Sequence, residues 1–190
     1  MLPSEAALNR CPRCLLPQQF CLCAEIPTVM TRTRVVIVRH QRELHRSSNS
    51  GRLAHLALPN SEIVDHGVRE EPTVLPPLDG AWVLFPAGEP CTRAPEPPPR
   101  QLIVLDATWS QARKMYRKLD QLRGLPMLRL PEGWRAASRL RAAPSPDRVS
   151  TIEAIAGALR LLEGDDKAAP LETLFDVAVA RARATGRHIR

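Results

Sequence analysis

No apolar run in this sequence approaches the roughly 18 residues a membrane-spanning helix needs, so no membrane partner is expected. The opening residues, MLPSEAALNRCPRC, lack a basic stretch followed by an apolar one, so they do not read as a secretory signal. Both absences point to a cytoplasmic protein. Neither usual spacing of a glycine-rich phosphate loop is present, which argues against a mononucleotide kinase. No serine sits in a nucleophile elbow, which argues against an α/β-hydrolase. There is no internal repeat, and lysine is scarce, occurring only at Lys114, Lys118 and Lys167.

What is present is arginine. The 190 residues carry a formal net charge of +7 and a pI near 9.8. Positive charge of this size favours polyanionic partners and steers them in. Arginine adds forked donors that suit phosphates and base edges. A GC-rich coding sequence would also enrich arginine, alanine and proline, and charge alone does not separate the two explanations.

Four of the five cysteines lie in CPRCLLPQQFCLC: Cys11, Cys14, Cys21 and Cys23. A reducing compartment disfavours disulfides. Four thiolates this close in sequence suit a tetrahedral zinc site, closed and structural because no further ligand is near. Redox chemistry at Cys11 and Cys14 is the competing reading. Cys91 stands alone in a proline-rich stretch and receives no role.

Along the chain, TRVVIV (33–38) reads as a β-branched strand, followed by a loop crowded with Arg39, His40, Arg42, His45 and Arg46. Asn49 or Ser50 caps a helix running to about Leu58. Further strands are expected at 61–65, 81–85, 101–105 and 125–130. Residues 86–100 are too rich in proline for helix or central strand. Helices are expected at 109–121, from the Ser150/Glu153 capping box to Leu162, and at 171–184. Residues 134–148 read as a basic loop. Apolar strands alternating with helices imply an α/β fold, a mostly parallel sheet covered by helices on both faces. A short cysteine segment (1–30) would precede the main domain (31–190).

In such sheets ligands bind at the carboxyl ends of strands. Asp106, at the start of DATW, is expected there, with the Phe85-Pro86 corner and His40. The plainer alternative makes Asp106 or Thr108 a helix cap and Trp109 a packing residue.

Taken together, CPRC…CLC, RHQRELHRSSNSGRL, the LFP strand end, DATW, RLR and STIEAIAGAL resemble the DTW-domain family of tRNA-uridine aminocarboxypropyltransferases, a SPOUT-related group. The resemblance spans essentially the whole chain. The family pattern H-P-x-E is replaced here by His40-Gln41-Arg42-Glu43. The resemblance implies a SPOUT-like sheet with a C-terminal trefoil knot. It also implies transfer of the 3-amino-3-carboxypropyl group of S-adenosylmethionine to N3 of a tRNA uridine, position 47 in bacterial tRNA, with methylthioadenosine released. A SPOUT-type RNA methyltransferase and a non-catalytic zinc-containing RNA-binding protein remain the rival readings.

On this reading Asp106 is the expected base for the N3 proton, or orients the substrate. Phe85, Pro86, Thr108, Trp109, Thr151, Glu153 and Ala154 are expected around the S-adenosylmethionine. The tRNA would lie along Arg39, His40 and Arg46, along Arg113, Lys114 and Arg117, and along Arg135, Arg139 and Arg141. No obligate protein partner is expected.

Overall fold

A computed structural model describes residues 9–131 and 149–184. Five parallel strands form one sheet: β1 (Arg34–His40), β2 (Ser61–His66), β3 (Ala81–Leu84), β4 (Gln101–Asp106) and β5 (Met127–Leu128), in the order β2-β1-β4-β3-β5. Among the described residues four α-helices accompany them: α1 (Ser50–Ala57), α2 (Trp109–Lys118), α3 (Thr151–Glu163) and α4 (Asp165–Ala184). The parallel, two-sided sheet expected from the unbroken apolar strands is present.

Side chains of successive strand residues leave opposite faces. One face carries Val35, Ile37, Leu102, Val104 and Leu84 and packs against α1, α3 and α4. The other carries Val36, Val38, Val83 and Ile103 and packs against Met115 of α2, with Leu119 and Leu122 beyond it. Cys11, Cys14, Leu16 and Leu22 join the first of these cores, so the cysteine segment is seated on the α3/α4 side. Arg181 of α4 reinforces the seat by donating to the Cys21 carbonyl and the Glu25 carboxylate.

Several boundaries differ from the sequence expectation. β1 continues through Arg39 and His40, because both residues pair with β2, and Arg39 also with Asp106 of β4. They therefore belong to the sheet and not to a loop. β5 contracts to two residues at the sheet edge. α2 stops at Lys118 and gives way to a short 3-10 turn at Asp120–Leu122. α4 begins six residues before Leu171 and contains Pro170. Arg160 of α3 compensates by donating to Asp165 at 2.5 Å and to both oxygens of Glu172 at 2.8 Å, clamping the start of α4 to its neighbour.

Candidate functional site

β4 ends on Asp106, which is only 4% exposed. Its Oδ2 accepts from Asn49 Nδ2 at 2.5 Å and its Oδ1 from Thr151 Oγ1 at 2.6 Å. Asn49 is the N-cap of α1 and Thr151 the first residue of α3. One carboxylate thus ties two helix N-termini to a strand end, where helix dipoles favour negative charge. Burial pushes the Asp106 carboxyl above the usual carboxylate range, while the hydrogen bonds from Thr151 and Asn49 oppose that rise. Asp106 is not the cap of α2. That position belongs to Thr108, which forms a capping box with Gln111.

Gly51 permits this close approach. A Cβ at Gly51 would lie 2.7 Å from Asp106 Cγ and Oδ2. Only a glycine in the first turn of α1 lets Asn49 reach the carboxylate without displacing it.

Around Asp106 the strand ends are polar. Arg39, 7% exposed, donates through Nε and Nη2 to the two oxygens of Asp65 at 2.7 and 3.0 Å. Its Nη1 finds no partner among the described residues. The phosphate contact expected of Arg39 is therefore not available from this buried position. Glu43 is buried and pairs with Arg46, whose side chain is half exposed. Arg52 donates Nη2 to the Leu44 carbonyl at 2.7 Å, fixing the 41–49 loop over this end of the sheet.

Of the other residues expected from sequence, Glu153 is buried and closes the capping box at Ser150 N with 2.5 Å. Ala154 is half-buried one residue further on. Phe85 and Trp109 lie elsewhere. Phe85 stacks on Tyr116 of α2 at a ring separation of 5.1 Å, on the sheet face opposite Asp106. Pro86 is exposed beside it. Trp109 lines a groove of about 250 Å³ on α2 with Ser110, Arg113, Lys114 and Arg117. His40 and His66 stand side by side with ring centroids 6.4 Å apart, and burial lowers the pKa of each. The same burial disfavours the charged form that would attract a phosphate. Arg135, Arg139 and Arg141 lie outside the described residues.

The four cysteine sulfurs lie within 4.8 Å of one another. Cys11 and Cys23 are 3.6 Å apart, and Cys14 and Cys21 are 3.8 Å apart. A tetrahedral ion with metal–sulfur bonds of about 2.3 Å requires sulfurs about 3.8 Å apart, so the donor set fits a closed metal site. The amide of Cys14 lowers the Cys11 thiol to about 6, whereas burial raises Cys14 and pushes Cys23 up to about 12. Four thiolates in this space require a cation to ionise together.

The sequence signature of the DTW domain matches residues 8–183. The chain belongs to the DTW domain family. Relatives of this DTW domain carry the name tRNA-uridine aminocarboxypropyltransferase 2. That of Macaca fascicularis is 29% identical over 178 residues, covering 85% of this chain and 60% of the relative. That of Mus musculus is 31% identical over 179 residues, with the same coverage of 85% and 60%. That of Drosophila melanogaster is 26% identical over 168 residues, covering 82% of this chain and 67% of the relative. The DTW domain chain thus spans about 60% of the length of the two mammalian relatives. No solved structure matches it.

Two predictions concern this architecture. Gly51→Ala should lower stability by about 1–3 kcal/mol through overpacking against Asp106. In an Asp106→Ala background the same change should become neutral or gain the roughly 0.5–1 kcal/mol that alanine offers a helix. Urea unfolding of the four proteins tests this, and equal effects of Gly51→Ala in both backgrounds would contradict the contact. The purified protein should also hold about one equivalent of metal. Cys14→Ser should lose most of it, with a lower thermal midpoint, by elemental analysis and melting. Full metal retention in that variant would remove Cys14 from the ligand set.

Proposed function

We propose that this DTW domain transfers the 3-amino-3-carboxypropyl group of S-adenosylmethionine to N3 of a uridine in tRNA. The observation that carries the reading is the family match along almost the whole chain, joined to a buried carboxylate at the carboxyl edge of a parallel sheet, where such folds bind ligands. N3 of uracil becomes a nucleophile only when its proton leaves. Asp106 takes that proton, and its burial makes it a stronger base than an exposed aspartate. The bond from N3 to the γ-carbon forms as the carbon–sulfur bond breaks. The electron pair leaves with sulfur, giving neutral methylthioadenosine.

Each Asp106 oxygen accepts one hydrogen bond and keeps a second acceptor direction for substrate. Thr151, Glu153 and Ala154 at the start of α3 border the Asp106 side of this sheet end and form the donor pocket, with Thr108 at the end of the same strand, whereas Phe85 and Pro86 belong to the opposite face. Regiochemistry follows from holding the γ-carbon, and not the methyl, toward the uracil, a positioning effect. The tRNA runs along the exposed Arg113, Lys114 and Arg117 of α2 and along Arg46.

Zinc is the ion that best suits four thiolates, and it holds the Cys11–Cys23 segment beside α4 as a structural clip. Unpaired thiols in this cluster suit a reducing cytoplasm. A SPOUT-related trefoil knot towards the C-terminal end of the sheet remains part of this reading.

Incubation with total tRNA and S-adenosylmethionine labelled either in the carboxyl or in the methyl group tests the reaction. Carboxyl label alone should enter RNA, at a modified uridine. Methyl label in RNA would make the protein a methyltransferase instead. Asp106→Asn should lower turnover by about 10²- to 10⁴-fold with metal content unchanged. In the parent, kcat/KM should fall as pH falls through the raised pKa of Asp106, because the base form is lost below it. That fall should begin at a higher pH than for an ordinary carboxylate. Near-normal turnover in Asp106→Asn would remove the base role.

A further inference from the structure

We infer that the groove on α2 binds a single unstacked RNA nucleotide, with its base on the Trp109 indole and its phosphate on Arg113, Lys114 and Arg117. The inference rests on the reading that RNA is the substrate. It also moves Trp109 from the donor pocket, where the sequence placed it, to the RNA path.

Trp109 is the first residue of α2, held at the helix start by the Thr108/Gln111 capping box. Its ring is half-buried and forms a wall of the groove. Residues 109, 113 and 117 fall on one ridge of the helix, with 110 and 114 on the next. Arg113, Lys114 and Arg117 are exposed, and no carboxylate pairs with any of them among the described residues. The space, about 250 Å³, is the scale of one flat ring system and its phosphate. An aromatic face flanked by free cations is how proteins hold single-stranded nucleic acid, stacking the base and neutralising the backbone. A small inorganic anion would use the cations and leave the indole idle, and an apolar ligand would do the reverse.

Location supports the assignment. Asp106 and Trp109 are three residues apart in sequence, so at most about 11 Å of extended chain separates them. They nevertheless serve opposite sheet faces, Asp106 toward α1 and α3 and Trp109 toward α2. An RNA strand crossing the carboxyl edge of the sheet would set its target uridine beside Asp106 and a neighbouring nucleotide over Trp109. The groove therefore holds the strand open while the target base is out of its stack, a cost that base-modifying enzymes must offset.

Fluorescence anisotropy of fluorescein-labelled octauridylate with the full-length protein, without donor, tests the site. The parent should bind with an affinity that falls as salt rises. Trp109→Leu, which keeps an apolar side chain against the helix, should bind about ten- to hundredfold more weakly. Trp109→Phe should recover most of the loss, because phenyl also stacks. Lys114→Glu, at an exposed position that cannot disturb the core, should weaken binding and reduce the slope of log K against log salt by about 0.7 or more. Parent-like affinity in Trp109→Leu, or equal weakness in the Leu and Phe variants, overturns the stacking site. So does loss of S-adenosylmethionine binding by calorimetry in Trp109→Leu with octauridylate binding retained, which would return Trp109 to the donor pocket. Binding as expected with no transfer of carboxyl label would instead overturn the proposed reaction and leave the groove assigned.

Discussion

The carboxylate of Asp106 is the point on which the arrangement turns. A buried aspartate without partners would be strongly destabilising. Here it is satisfied by the side chains of Asn49 and Thr151, which start two different helices. The same two bonds fix where α1 and α3 begin relative to β4. Gly51 makes the contact sterically feasible, and Arg52, one residue on, secures the 41–49 loop. A single acidic side chain therefore organises the carboxyl edge of the sheet and remains the strongest candidate for chemistry there.

The two sheet faces divide the work. The α1/α3/α4 face ends in two buried charges, Arg39 and Glu43, paired with the more exposed Asp65 and Arg46, beside Asp106. The buried members of these pairs are committed to partners and carry structure, not long-range attraction. The α2 face ends in exposed cations around an indole, with no carboxylate paired to them among the described residues. That is where electrostatic steering of RNA can operate, because exposed charge acts through solvent and responds to salt. The four clustered cysteines stand behind the first face, joined to α4 through Arg181 and to the core through Leu16 and Leu22.

Much of this was legible in the sequence. Uninterrupted β-branched runs announced a sheet covered on both faces, and Ser150 with Glu153 announced the start of α3. The cysteine spacing announced four sulfurs close enough together to hold a metal ion. The Thr108/Gln111 capping box was also written in the chain, as T-W-S-Q, and would have shown that Asp106 is free of capping duty. What local pattern could not reveal was tertiary. Asn49 lies 57 residues from Asp106, and nothing near either residue marks their bond. The burial of Arg39 follows from its neighbours across the sheet, so a residue that looked like a surface cation is an interior one. The last helix, expected from residue 171, begins at Asp165 and runs through Pro170, its first turns tied to α3 by Arg160. Trp109 looked like a pocket wall for the donor because it is next but two to Asp106, whereas the turn between them sends it to the other face.

The most direct measurement is a carboxyl ¹³C NMR titration of Asp106, assigned by its absence in Asp106→Asn, in the free protein and with S-adenosylmethionine. The account predicts a midpoint above the ordinary aspartate value of about 3.9 and a displacement of that midpoint when the donor is added. An ordinary midpoint, unmoved by the donor, would contradict both the burial of this carboxylate and its place beside the reacting groups.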